Sequence, residues 1–133
     1  MEFRKIRSVV SQELLFDSFE DNTDRTGYLD FTKALPAGAV VIGWRADVTA
    51  GFTGDTTATM QVGIAGDLDK YSANTAQSCL AAGTVGSLAL AADSVTGFSD
   101  AKTPRVTVTG GADFTTIKTG GSGAMTVEIF FIV

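Results

Sequence analysis

The sequence predicts an all-β fold of about eight short antiparallel strands in a two-sheet, jelly-roll-like sandwich. Three observations predict it. Apolar and polar residues alternate with a period of two in several separate segments. Turn residues recur roughly every ten positions, with 15 glycines and 18 threonines against two prolines. No segment carries the 3.6-residue period of a long amphipathic helix. The chain has 133 residues. That is the size of one domain, 1–133, which can bury enough surface to fold without a metal or a disulfide.

The elements follow in chain order. Segments 3–10 and 12–19 both suit strands, with Phe3 and Ile6 turned inward, and Asp21-Asn22-Thr23-Asp24 reads as a loop. Residues 28–32 form a short strand with Leu29 and Phe31 on one face. Pro36 and Gly38 make a turn before the clearest strand, 39–49. There Val40, Ile42, Trp44, Ala46 and Val48 fall on one face; Val41, Gly43, Arg45, Asp47 and Thr49 fall on the other. Residues 51–55 read as a hairpin connection through Gly54-Asp55. In the next strand, 57–65, Ala58, Met60, Val62 and Ile64 point inward. Residues 72–82 are small and polar and predict one helical turn or nothing regular. Residues 87–92 are a further strand candidate. Strand 104–109 turns Val106 and Val108 inward and ends at Gly110-Gly111. The final strand, 125–133, places Met125, Val127, Ile129, Phe131 and Val133 on one side and Thr126, Glu128, Phe130 and Ile132 on the other. Its second face turns apolar at the end, which predicts cover from a central position or from a subunit contact. Phe130 and Ile132 are therefore candidate interface residues.

Composition narrows the function. With 15 acidic and 10 basic side chains the net charge is −5, which argues against a phosphate-backbone binder. Histidine is absent and there is one cysteine. This excludes Ser-His-Asp and Cys-His nucleophile systems, the usual zinc sets and an internal disulfide. No catalytic residue and no cofactor are expected. The N-terminus MEFRKIRSVVSQELLF has no apolar run of signal-peptide length, and the longest strongly apolar stretch, IFFIV, is far short of a membrane span. The expectation is a soluble chain made in a cytoplasm, with no membrane and no nucleic-acid partner.

Five features are candidates for a site. Asp67 and Asp69, at alternate positions of Gly66-Asp67-Leu68-Asp69-Lys70-Tyr71, offer oxygen ligands to calcium, with Ser72 and Asn74 as supplements. An EF-hand loop would need a glutamate at its twelfth position, where Ser78 stands. A solvated loop with Asx turns explains the same residues. The acidic stretch Asp17, Glu20, Asp21 and Asp24 lacks the aromatic cleft of a glycosidase pair. Arg4, Lys5 and Arg7 give the first ten residues a basic character, as a plain first strand, an arm, or a strand exchanged with a neighbour. Gly120-Gly121-Ser122-Gly123 lacks the Lys-Ser/Thr ending of a phosphate loop and reads as a hairpin loop. Trp44, between Ile42 and Ala46, reads as a core anchor.

The block LPAGAVVIGWRADVTAGFTGDTTATMQVGIAGDLDKY, residues 35–71, together with the Val-Thr-Val-Thr-Gly-Gly run at 106–111 and Thr-Val-Glu-Ile at 126–129, resembles the small virion structural proteins of tailed bacteriophages. The likeness covers about two-thirds of the chain, from Leu35 onward, and rests mostly on turns and strands. It implies a structural role without catalysis. Within that group the chain is similar to capsid decoration (cement) proteins. That implies a dimer or trimer on the capsid exterior that bridges and stabilises major capsid protein subunits, made in the host bacterial cytoplasm. Arg4, Lys5 and Arg7 are then the candidate shell contacts. A tail or fibre location with a receptor-facing surface is the alternative, followed by a carbohydrate-binding β-sandwich.

Overall fold

The computed structural model describes residues 7–72, 77–87 and 100–133. Among them, nine strands form two antiparallel sheets. They are β1 (Arg7–Leu15), β2 (Glu20–Asp21), β3 (Thr26–Asp30), β4 (Val40–Ala50), β5 (Ala58–Ile64), β6 (Gln77–Ser78), β7 (Gly83–Ser87), β8 (Pro104–Gly110) and β9 (Ala124–Ile132). A five-residue helix α1 (Phe114–Lys118) lies between the last two strands. The sheets run β1-β9-β4-β7 and β2-β3-β8-β5-β6. The chain passes between the two sheets repeatedly, and the resulting order is that of a jelly roll. The expected all-β sandwich is what forms.

The period-two pattern determines which side chains meet. Met60 and Val62 of β5, Val106 and Val108 of β8, and Met125, Val127 and Ile129 of β9 are buried, as their alternation requires. Phe31, Leu35 and Trp44 join them, and Trp44 is only 1% exposed. At one end of the sandwich Phe19 meets Phe52 edge-on and Phe114 at a tilt, with ring centroids 5.8 Å apart in each pair.

Several local expectations change. The sequence divides 3–10 and 12–19 into two strands, whereas one strand runs through Ser11 to Leu15 and a single 3-10 turn, Phe16–Ser18, follows. Residues 3–6 lie outside the described residues. Asp21 is a strand residue rather than loop. In β4 the predicted face is wrong at its start. The pairing with β9 shifts between Val41 and Gly43, so Ile42 is an extra residue. This β-bulge turns Val41, 1% exposed, into the core and leaves Val40 and Ile42 half-buried. Residues 51–55 are not a hairpin connection. β4 and β5 lie in different sheets, and the link arches across the sandwich. Residues 72–82 contain β6, and a strand the sequence does not announce, β7, runs over Gly83–Ser87. Residues 88–92 lie outside the described residues.

The arch is held by one carboxylate. Asp55 Oδ1 accepts from the Thr56 backbone N–H at 2.6 Å and from the Thr56 hydroxyl at 3.2 Å. Its Oδ2 accepts from the N–H groups of Ala112 (3.0 Å) and Asp113 (3.5 Å) and from the Thr116 hydroxyl (3.2 Å). The β4–β5 arch is thus tied to the β8–α1 link. Asp113 in turn caps α1 by accepting from the Thr115 N–H at 2.9 Å.

Candidate interaction surface

The outward face of the β1-β9-β4-β7 sheet has two chemically different ends. Thr126, Glu128, Phe130 and Ile132 of β9 alternate with its buried residues and are half-buried on the outer side. Register sets Val9 of β1 and Gly43 of β4 beside Phe130, and Arg7 and Val40 beside Ile132. Val9 is 51% exposed and Val133, just beyond β9, is 72% exposed. Val9, Phe130, Ile132, Val40 and Ile42 thus gather at one end of the face. Toward the other end the face becomes polar. Arg45 Nη1 lies 3.8 Å from Glu128 Oε1, and the Thr84 hydroxyl donates to Asp47 at 3.5 Å. Exposed pairs of this kind add little stability, so this end is best described as solvated.

The outward face of the other sheet is rich in hydroxyls. Rows across β3, β8 and β5 read Thr26–Thr109–Thr59, Tyr28–Thr107–Gln61 and Asp30–Arg105–Gly63. Arg105 donates to both oxygens of Asp30, at 2.7 and 3.1 Å, and lies 3.9 Å from the centre of the Tyr28 ring. This bidentate and cation–π arrangement fixes the guanidinium flat against the sheet.

The other candidates fall in different places. Arg4 and Lys5 lie outside the described residues, and Arg7 opens β1. Asp67 and Asp69 follow β5 in a tight turn, in which Ile64 and Asp67 exchange backbone bonds of 3.0 and 3.1 Å. Ser72 is turned away from that loop, since its hydroxyl accepts from the Val62 N–H at 3.1 Å. Asn74 lies outside the described residues. Among the described residues no three His, Cys, Asp or Glu side chains gather in a way that would hold an ion. Asp21 and Asp24 are committed to their own turns. Asp21 accepts from the Thr23 N–H (2.8 Å) and the Thr115 hydroxyl (2.6 Å). Asp24 accepts from the Thr26 hydroxyl and N–H, both at 2.7 Å, and these bonds hold its carboxyl below the usual carboxylate range. The glycine run 120–123 follows α1 rather than closing a hairpin. Its Ser122 hydroxyl donates to the Gly51 carbonyl at 3.0 Å. Cys79 is fully buried, and burial pushes its thiol up to about 12. A dent lined by Leu35, Pro36, Ala39, Tyr71, Asp100 and Lys102 has room for about one water molecule, far less than a substrate pocket needs.

Sequence reasoning finds Phe130 and Ile132 but not their neighbours Val9 and Val40. Only strand register brings those together, across roughly ninety residues of chain or more. Helix α1 was also missed. Five residues are too few for a helical period, although Asp113 before it and Gly120-Gly121 after it are a start and a stop signal.

No protein-family model matches the sequence, and no curated protein matches it. Among solved structures, the chain is similar to a chain of the capsid asymmetric unit of cyanophage Pam1. The TM-score is 0.64 at 18% identity, covering 100% of this chain and 89% of that one. FlhE (TM-score 0.43, 5% identity, 94% and 96% covered) and a Bacillus endospore appendage protein (0.34, 12%, 96% and 91%) are more distant. At this identity the first likeness is one of fold: the same sandwich, end to end, occurs in a phage capsid.

Proposed function

We propose that this protein is a non-enzymatic structural protein of a phage virion that decorates the mature capsid from outside and bridges major capsid protein subunits. The supporting observation is the full-length likeness to a capsid chain. The surface is in keeping with it: two broad sheet faces, with Asp21, Asp24 and Asp55 committed to turns and links. A protein that binds only the mature lattice stabilises it by mass action, and many small repeated contacts gain through multivalency.

In this proposal 1–133 is one sandwich domain whose first residues form a short arm. Arg4 and Lys5, with Arg7 at the root, contact the shell, and the apolar end around Phe130 and Ile132 seals a contact between subunits of a dimer or trimer. The sequence suggests removing 1–10 to test the arm. The structure redefines that cut, because residues 7–10 pair with β9 and Val10 is in the core. Deleting 1–6 is expected to abolish capsid binding in co-sedimentation while the melting temperature stays near wild type. Full retained binding removes the arm from the proposal. The role itself is tested by copy number in purified virions. A ratio near one per major capsid protein supports decoration, and a few copies per hundred moves the chain to the tail, a vertex or a fibre.

A further inference from the structure

We propose that β1 is a homotypic docking edge. Two copies of this chain join by antiparallel pairing of β1 with β1, in the register that sets residue 7 of each copy opposite residue 13 of the other. The pairing stands independently of the virion role.

The sheet margins differ sharply. Among the described residues β2 and β6 have two residues each, and β7 has five, two of them glycine. Short, glycine-broken margins resist the addition of a foreign strand. β1 is different: nine residues pair with β9 with no shift of register. It contains no proline, glycine or lysine. Its exposed outer residues include Val9, Ser11 and Glu13. Among the described residues no strand pairs with its free side.

The backbone phase along this edge is fixed. The Phe16 N–H donates to the Gly123 carbonyl at 3.0 Å. In an antiparallel ladder bonded and non-bonded residues alternate, so Leu14, Gln12, Val10 and Ser8 bond to β9. Arg7, Val9, Ser11 and Glu13 therefore turn their N–H and C=O outward. The Glu13 carbonyl agrees with this phase, because it accepts from the adjacent Gln12 side-chain amide at 3.1 Å rather than from β9. Strand pairing replaces that local bond. Gln12 Oε1 also accepts from the Thr32 N–H and hydroxyl at 2.9 and 3.1 Å, which pins the edge to the link that follows β3 before any partner arrives.

A two-fold contact must be self-complementary, and outward residues must meet outward residues. Centring the pair on Val10 sets Arg7 against Glu13 and Val9 against Ser11, with opposite charges facing each other at both ends. Centring it on Ser11 sets Glu13 against Val9 and Arg7 against Leu15, so neither charge has a partner. Opposite charges across a strand pair favour pairing, and a mismatch opposes it. Of these two registers the first pairs the charges, and in it each four-stranded sheet continues into its copy.

Sedimentation equilibrium on the full chain tests this. The wild type is expected to be a dimer. Glu13→Arg is expected to raise the dimer dissociation constant roughly tenfold or more. The double swap Arg7→Glu with Glu13→Arg is expected to restore it. Ser11→Pro removes an outward N–H without touching the β9 ladder and is expected to give monomer. In the unmodified protein, the Val9, Ser11 and Glu13 amides are expected to be protected from hydrogen exchange when concentrated and to lose protection on dilution. A monomeric wild type, an oligomer indifferent to both Glu13→Arg and Ser11→Pro, or outward amides unprotected at high concentration overturns the proposal. Capsid binding is not read in any of these assays, so the virion role stands or falls separately.

Discussion

Asp55 shows how much one surface carboxylate can organise. Backbone N–H groups of Ala112 and Thr56, in that order of effect, hold its carboxyl far below the ordinary value of 3.8, helped by the Asp113 N–H and the Thr116 hydroxyl. A folded-state pKa below the unfolded one stabilises the fold fully above the ordinary value, and this contribution is lost as the pH falls below it. Asp55→Ala is therefore expected to melt lower than wild type at neutral pH, with the gap closing on acidification between about pH 5 and pH 2. A gap that does not change with pH contradicts this role. Trp44 poses the opposite case. Its indole Nε1 is buried and has no hydrogen-bond partner. Trp44→Phe thus sacrifices no bond and is expected to cost less than about 1.5 kcal/mol, against about 3–5 kcal/mol for Trp44→Ala. Denaturant unfolding followed by circular dichroism, since the one tryptophan is replaced, measures both. The alternation of 39–49 marked Trp44 as inward. The Ala112, Asp113 and Thr116 donors around Asp55 were invisible in the sequence, because they come from a link about sixty residues away.

Elements fit one another here through omitted side chains. A Cβ on Gly27 of β3 would overlap the Phe114 ring of α1, so the bare backbone at 27 lets the helix lie against the sheet. Gly27→Val is expected to destabilise by about 1–3 kcal/mol through overpacking, read by chemical denaturation. A second change, Phe114→Leu, should recover part of the loss if the ring is the obstacle. Gly54 has φ of +107°, a left-handed conformation that the arch needs. The element most legible in the sequence was β9, whose alternation survives unbroken in the structure; β5 and β8 keep their inward residues but bury Gly63 and Thr107 as well. The start of β4 misled because a bulge reverses which face a residue serves. No local pattern announces an extra residue that exists only relative to its neighbour β9.

On the scale of the molecule, the two outward faces divide the chemistry. One is apolar at the end where β1, β9 and β4 converge, and the other is lined with threonine hydroxyls and the Tyr28–Arg105–Asp30 group. The double variant Phe130→Thr with Ile132→Thr keeps β-compatible residues at half-buried positions. It is expected to leave the melting temperature within a few degrees of wild type while weakening association between subunits about tenfold or more in sedimentation equilibrium. Unchanged association would remove the apolar end from the proposed contact.

By itself the sequence determined the class of fold, the inward residues of the regular strands, the absence of histidine chemistry and the apolar end of the last strand. These depend on alternation and composition, which are local or additive. Tertiary structure alone decided the strand order, the crossing of the arch between sheets, the gathering of Val9 and Val40 around Phe130 and Ile132, and the place of β1 at a margin of its sheet among the described residues. Each of these is a relation between segments distant in the chain. A strand's pattern says which face is buried, but not which strand lies beside it, because any neighbour that covers the apolar face satisfies the same alternation.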